Sequence, residues 1–258
     1  MIKHIDLNAD IGEADRLAWI AAEQAIMGQI SSANIACGGH AGDHESMERT
    51  VAEAIANGVN MGAHPGYPDR ENFGRKSLVL GADISKADLQ NSIKKQIYDL
   101  IEQAQIQGGK ISYVKPHGAL YTDAYAHTAL AELTLTTVKD IDPTLFFMGA
   151  PGSASEALAR AMSITFIPEA FIDRRYVSGG FLQSRKIEGA VIKDAHARME
   201  QLDQLLTDGS VTTAQGDKMA VNARTLCMHS DSAGAVETAC EARTHISQLG
   251  WSVRAFSA

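Results

Sequence analysis

The chain has 258 residues, 45% of them hydrophobic and 21% charged, and a net charge of −8 with no basic block. That is ample for a large core, and it excludes the electrostatic footprint of a nucleic-acid binder and disfavours an anionic membrane as partner. No stretch approaches the ~20 apolar residues that span a bilayer, and MIKHIDLNAD at the N-terminus lacks a secretory h-region. Three cysteines, Cys37, Cys227 and Cys240, sit in apolar surroundings and suit reduced thiols in a cytoplasm.

Strand and helix patterns then alternate along the chain. A strand over 4–10 precedes a helix around 16–30. Strand 31–37 leads to a helix near 44–57, which carries Met47, Val51, Ala54 and Ile55 on one face and stops at Gly58. Strand 59–64 runs into a loop rich in Gly, Pro and Asn (65–84). Ser85 caps a helix whose Leu89, Ile93, Ile97, Leu100, Ile101 and Ala104 recur every three or four residues up to Gly108-Gly109. Strand 112–117, a helix near 126–140 and strand 144–149 come next. A short helix opens with the capping box Ser153…Glu156, and strand 164–170 leads into a second long loop (171–190). A helix near 194–206, a strand over 220–229, a helix over 233–249 and an apolar segment 251–256, which could form an eighth strand, complete the chain. Seven βα units without a repeat or linker predict one domain over 1–258, a parallel β/α barrel with right-handed crossovers.

Polar residues cluster where the apolar runs end: HIDLNAD, SSANIACGGHAGD, VNMGAHPGY, SYVKPHGALY, TFIPEAFIDRRY and TLCMHSD. In a parallel barrel these strand ends meet on the face where active sites form. Asp6, Asn8 and Asp10 alternate on one face of their strand. Asp10 at its end is the candidate general base, Asp6 deeper down is structural, and Glu13 ranks second as a base. Lys115 and His117, two apart, face one side, so the ammonium can stabilise an oxyanion while the imidazole moves a proton. His40, His64, His117 and His229 come from different units. With Asp10 they could ligate a divalent metal, His40, His64 and Asp10 being the named set, or they could simply orient loops. Cys37 reads as a small apolar residue closing a strand rather than a nucleophile. Gly118 allows a close backbone approach, and Tyr121 either packs or contacts a ligand. The two long loops bring Arg174 and Arg185, suited to gripping a carboxylate or phosphate, although a subunit interface would read the same way. Neither loop matches a GxxxxGK[ST] or GxGxxG phosphate cradle.

In order along residues 4 to about 250, LNADIGE, SSANIACGGHAGD, GAHPGYPDRENFGR, KPHGALY, EAFIDRRY and HSDSAGAV resemble the LamB/YcsF family, the A subunits of 5-oxoprolinase. The resemblance implies an irregular seven-stranded, TIM-like parallel β/α barrel similar to polysaccharide deacetylases. It further implies ATP-dependent opening of the 5-oxoproline lactam to L-glutamate with release of ADP and phosphate, together with 5-oxoprolinase subunits B and C. Carried over by motif, the cleft comprises Asp10, His40, His64, Lys115, His117 and His229; Asn8, Arg174, Arg185 and His229 are the substrate-binding candidates. The chain departs from the family pattern at Ala9 (commonly Cys), Gly39 (commonly Phe, which removes an aromatic beside His40), Ser230 (commonly Gly), Ser232-Ala233 (commonly Thr-Pro or Asn-Pro) and after Glu13. Two other readings use the same barrel: a stand-alone metal-dependent, deacetylase-like hydrolase, and a subunit that binds 5-oxoproline without catalysis. The pairing of a base with Lys115 and His117 weighs against the latter.

Overall fold

A computed structural model describes residues 3–231 and 234–257, so Ser232 and Ala233 lie outside the described residues. Among the described residues ten strands occur in chain order: β1 (Lys3–Ile11), β2 (Ser32–Ala36), β3 (Asn60–His64), β4 (Ile111–Val114), β5 (Phe146–Gly149), β6 (Phe166–Phe171), β7 (Ser210–Thr212), β8 (Lys218–Ala220), β9 (Thr225–Met228) and β10 (Trp251–Val253). Seven of them, β1 to β6 and β9, form a closed parallel barrel, in which β9 pairs with β6 on one side and β1 on the other. The nine residues of β1 make both closure and extension possible. Asp6–Ala9 pair with β9, while Lys3–Ile5 pair with β10, so the apolar tail adds a strand beside the closed ring rather than within it.

Eight helices, again among the described residues, surround the barrel: α1 (Leu17–Met27), α2 (His44–Asn57), α3 (Lys86–Ile106), α4 (Gly118–Ala126), α5 (Thr128–Ile141), α6 (Ala154–Ala161), α7 (Ala195–Asp208) and α8 (Ala235–Gln248). Their ends follow local chemistry. Asp43 and Ser46 form a reciprocal capping box on α2, which ends at left-handed Gly58; Ser85 accepts from the Asp88 amide at the start of α3. The stripe Leu89, Ile93, Ile97, Leu100 and Ala104 of α3 is fully buried in the main core between helices and strands. At about 25 cal/mol per Å² of apolar surface, each of the larger side chains contributes on the order of 2 kcal/mol.

Two expectations need correction. The predicted strand 220–229 is broken: β8 pairs antiparallel with β7 across the turn at Gly216, and only β9 joins the barrel. Between them, Val221 N bonds Gly209 O and Arg224 N bonds Pro168 O, pulling 221–224 out of strand geometry. The stretch from Gly118, to which the sequence pattern assigns no element, is α4, which breaks at His127 before α5.

Barrel register brings polar residues together inside. Asn8 lies opposite Ser32 and Cys227, Asp10 lies opposite Asn34, and Asp6 and Glu169 both lie opposite Thr225. Asp6 accepts from Ser31, Ser32 and Thr225; Asn34 donates to Asn8 and Asp10; and the Tyr113 hydroxyl, whose ring lies where Gly62 has no side chain, donates to Asn34. Burial raises the Asp6 carboxyl to about 6 despite those hydroxyl donors.

Candidate active site

A cavity of about 520 Å³ opens where β1, β3, β4, β6 and β9 end, with Asp10, His64, Lys115, His117, Tyr121 and His229 in its wall. Lys115 follows β4, and its amide still bonds Ala63 O while that of His117 bonds Pro65 O, so the extended alternation persists beyond the strand. The Lys115 ammonium stands 3.1 Å from Asp10 Oδ1 and 2.8 Å from Glu169 Oε1, all three groups being buried. Burial disfavours the ammonium, but its negative neighbours, Asp10 first, hold it well above the usual lysine range. Burial likewise opposes ionisation of Asp10, yet Lys115 and then His64 hold that carboxyl well below the usual range. An anchored carboxylate of that kind is a weak base, so the geometry makes Asp10 the counter-ion of Lys115 rather than the general base expected of it.

The Glu169 side chain, in the middle of FIPEAF, is not among the candidates that the sequence offers. Its carboxylate oxygens and the Tyr121 hydroxyl are buried without a well-directed hydrogen bond among the described residues. Cys227, expected in apolar surroundings, instead lies 3.1 Å from Lys115 Nζ, and Cys240 is exposed on α8. Burial pushes the Cys37 thiol up, which suits an inert packing residue.

Across the cavity, His229 Nδ1 is 3.0 Å from Asp173 Oδ2, and the same carboxylate accepts the His229 amide. Although burial opposes it, His229 holds Asp173 below the usual carboxylate range. The carboxylate fixes Nδ1 as the protonated nitrogen and leaves Nε2, which has no protein partner among the described residues, free to accept a proton in the cavity. Asp173 is visible in the second long loop, but its pairing with His229 spans 56 positions and no spacing signals it.

His117 is placed differently from a free proton shuttle. Its Nε2 faces Phe73 O at 3.0 Å and its Nδ1 faces His64 Nε2 at 3.0 Å; behind it His40 stacks at a 3.5 Å centroid separation. His40 Nε2 lies 2.9 Å from Glu13 Oε1. Burial, reinforced by Asp10, raises Glu13 to about 7, while burial and neighbouring imidazoles push His40 and His117 well below the usual histidine range. One ligand atom from each of Glu13, His40, His64 and His117 lies within 4.8 Å of the others. Asp10, expected as a ligand with His40 and His64, is outside this group.

The remaining substrate candidates divide. Asn8 is fully buried, donates to Thr225 and accepts from Asn34, so it is framework and does not reach the cavity. Arg174 lines the cavity, but its guanidinium is spent on Ala190 O and Gln183 O, pinning the second loop; burial and then Arg185 lower it to about 10. Arg185 and Arg75 both reach Asp231, at 3.8 and 2.6 Å, and both line the mouth. The first long loop clamps the histidines: Phe73 O accepts from His117, Gly74 O accepts from Ala119 N, and Phe73 sits edge-on to His40. Buried Gln96 fills the space beside Gly39, where a Cβ would collide with it, so Phe73 supplies the aromatic neighbour of His40.

The LamB/YcsF family model matches residues 5–258. The chain belongs to the LamB/YcsF family. Relatives of this LamB/YcsF chain include the 5-oxoprolinase A subunit of Shouchella clausii, 42% identical over 97% of this chain and 98% of that protein, and that of Kocuria rhizophila, 38% identical over 98% and 99%. Among solved structures, the lactam utilization protein of Thermus thermophilus superimposes with a TM-score of 0.87 at 35% identity, covering 98% of this chain and 100% of that one. A family 4 carbohydrate esterase from Streptomyces lividans shares the fold at a TM-score of 0.52 and 9% identity, over 99% and 93% of the two chains. No helix among the described residues is long and apolar enough to cross a membrane.

Proposed function

We propose that this chain is the A subunit of an ATP-dependent 5-oxoprolinase and that its cavity opens the lactam. The names of its relatives support the subunit role. The observation that carries the chemistry is an ammonium, Lys115, held at the cavity wall opposite a histidine whose free nitrogen is set by a carboxylate. An unstrained lactam is a poor electrophile, and transfer of the ATP γ-phosphoryl group to its carbonyl oxygen makes its carbon attackable by water. Lys115 stabilises negative charge developing on that oxygen, and His229, oriented by Asp173, takes a proton from the attacking water and returns it to the ring nitrogen as the C–N bond breaks. The acyl phosphate so formed is attacked at carbon by a second water, releasing phosphate and glutamate. Arg185 and Arg75 at the mouth suit the substrate carboxylate, exchanging part of their pairing with Asp231 for it. With no phosphate-cradling motif here, nucleotide binding falls to the partner subunits, B and C.

Substrate with an isotopically labelled lactam oxygen, turned over by the complete complex, tests this chemistry. The label should pass to inorganic phosphate. Label confined to glutamate would rule out carbonyl phosphorylation followed by attack of water at carbon.

A further inference from the structure

We propose that Glu13, His40, His64 and His117 form a binding site for one divalent transition-metal ion of the zinc or cobalt class. The inference is independent of the lactam reading, because it concerns what four side chains can hold and is tested by metal content.

The case rests on hydrogen positions that the protein itself fixes. A carbonyl oxygen can only accept, so His64 Nδ1, 2.8 Å from Lys115 O, carries a hydrogen, as does His117 Nε2, 3.0 Å from Phe73 O. The neutral rings therefore aim bare lone pairs from His64 Nε2 and His117 Nδ1 at one another, 3.0 Å apart. Two lone pairs at that distance repel unless a cation joins them. The surroundings already supply anionic and neutral donors to hold one: Glu13 Oε1 lies 3.5 Å from His117 Nδ1 and 2.9 Å from His40 Nε2.

Distances between donors agree with an ion at the centre. A tetrahedron with bonds of about 2.05 Å has edges of roughly 3.3 Å, and the separations of 2.9, 3.0 and 3.5 Å bracket that value; the stacked, nearly parallel His40 and His117 rings must turn apart for both to direct a lone pair at one ion. The outer contacts also match a metal site, since ligating imidazoles commonly give their second N–H to a backbone carbonyl, as His64 and His117 do here.

The enclosure has little slack. A side chain on Gly74 would come within 2.8 Å of His40 Cβ, and one on Gly66 within 3.1 Å of His40 Nδ1, so backbone alone packs over the stacked rings. Three imidazoles and one carboxylate favour a borderline ion over Mg²⁺ or Ca²⁺, which take oxygen ligands. The four donors stand at or just past the ends of β1, β2, β3 and β4 in turn, so one ion would tie four successive strand ends together. Since His64 and His117 also face the cavity, the ion would stand directly behind its wall.

The test uses the untagged full chain, stripped with chelator, reloaded with Zn²⁺ or Co²⁺ and passed through gel filtration before elemental analysis. About one ion per chain should be retained in the presence of excess Mg²⁺, and the Co²⁺ form should show the intense visible absorption of tetrahedral coordination. Glu13→Gln and His40→Gln, each checked for folding by circular dichroism, should weaken retention at least roughly tenfold. Glu13→Gln, nearly equal in size, keeps the test decisive if the histidine variant fails to fold. Folded wild-type chain that retains no ion, or folded Glu13→Gln that retains it undiminished, would overturn the proposal.

Discussion

Replacing Lys115 by Met keeps most of the apolar stem and removes the ammonium, with its charge and its three N–H donors. Two carboxylates, Asp10 at 3.1 Å and Glu169 at 2.8 Å, then lose their shared cation in a site almost wholly shielded from water. Breaking a buried pair by removing one partner costs about 3–5 kcal/mol. Asp10 retains the Asn34 amide and His64, whereas no other cation among the described residues contacts Glu169, so most of the cost falls on Glu169. Adding Glu169→Gln removes that stranded charge, and the double variant should recover about 2–3 kcal/mol in urea unfolding. Turnover should behave differently: both variants should lose roughly a hundredfold or more in kcat, because neither has the Lys115 ammonium at the cavity wall. Association with partner subunits should be unchanged, as Lys115 lies inside the barrel mouth, and substitution of exposed Lys110 should affect neither quantity. A double variant as unstable as the single one would refute the ion-pair reasoning, and normal turnover in Lys115→Met would remove Lys115 from the chemistry.

Three further outcomes are expected. Asp173→Asn should lower kcat roughly a hundredfold with little change in KM, since it releases the His229 tautomer without altering the arginines at the mouth, and the pH–rate profile would record it. Asp6, neutral more readily when folded, at about 6, than at its ordinary 3.8, imposes no cost below pH ~4; a cost grows between those values and levels at roughly 3 kcal/mol above pH ~6. Denaturant titrations should therefore show wild-type stability falling through that window relative to Asp6→Asn, and parallel curves would contradict the assignment. Gly118→Ala should destabilise by about 2 kcal/mol or more, because at φ +53 its Cβ would sit 2.7 Å from Gly74 O, whereas Gly189→Ala, at φ +80 in open space, should cost only about 1 kcal/mol of backbone strain, both read from urea unfolding.

Much of the barrel was legible because its determinants are local. Apolar runs marked all seven barrel strands, six of them ending in polar residues, and Ser85, Ser153 and Gly58 marked helix ends where they occur. Helix α4 was hidden because it begins on left-handed Gly118, with the next amide, that of Ala119, held by Gly74 O, a tertiary contact. The β7–β8 hairpin was hidden because the run AVNARTLCMH (220–229) reads as one continuous strand and only long-range backbone bonds divide it. The site was legible as a set of residue types but not as pairs. Lys115 finds Asp10 across 105 positions, and whether Asp10 is a base or a counter-ion depends on that meeting. Likewise Asn8 shares a face with Asp10, yet its depth below the cavity follows from barrel register, not from alternation. Glu169 did leave a signal, a lone charge within an otherwise apolar strand, which by itself implies a buried partner.

Glutamate release from 5-oxoproline, measured together with ADP, tests the central claim most directly. The assay compares this chain alone, the partner subunits alone and the two combined in the presence of ATP. Glutamate should form at a substantial rate only in the combined sample and in step with ADP. Robust glutamate production by the isolated chain, or by the partners without it, would contradict the account.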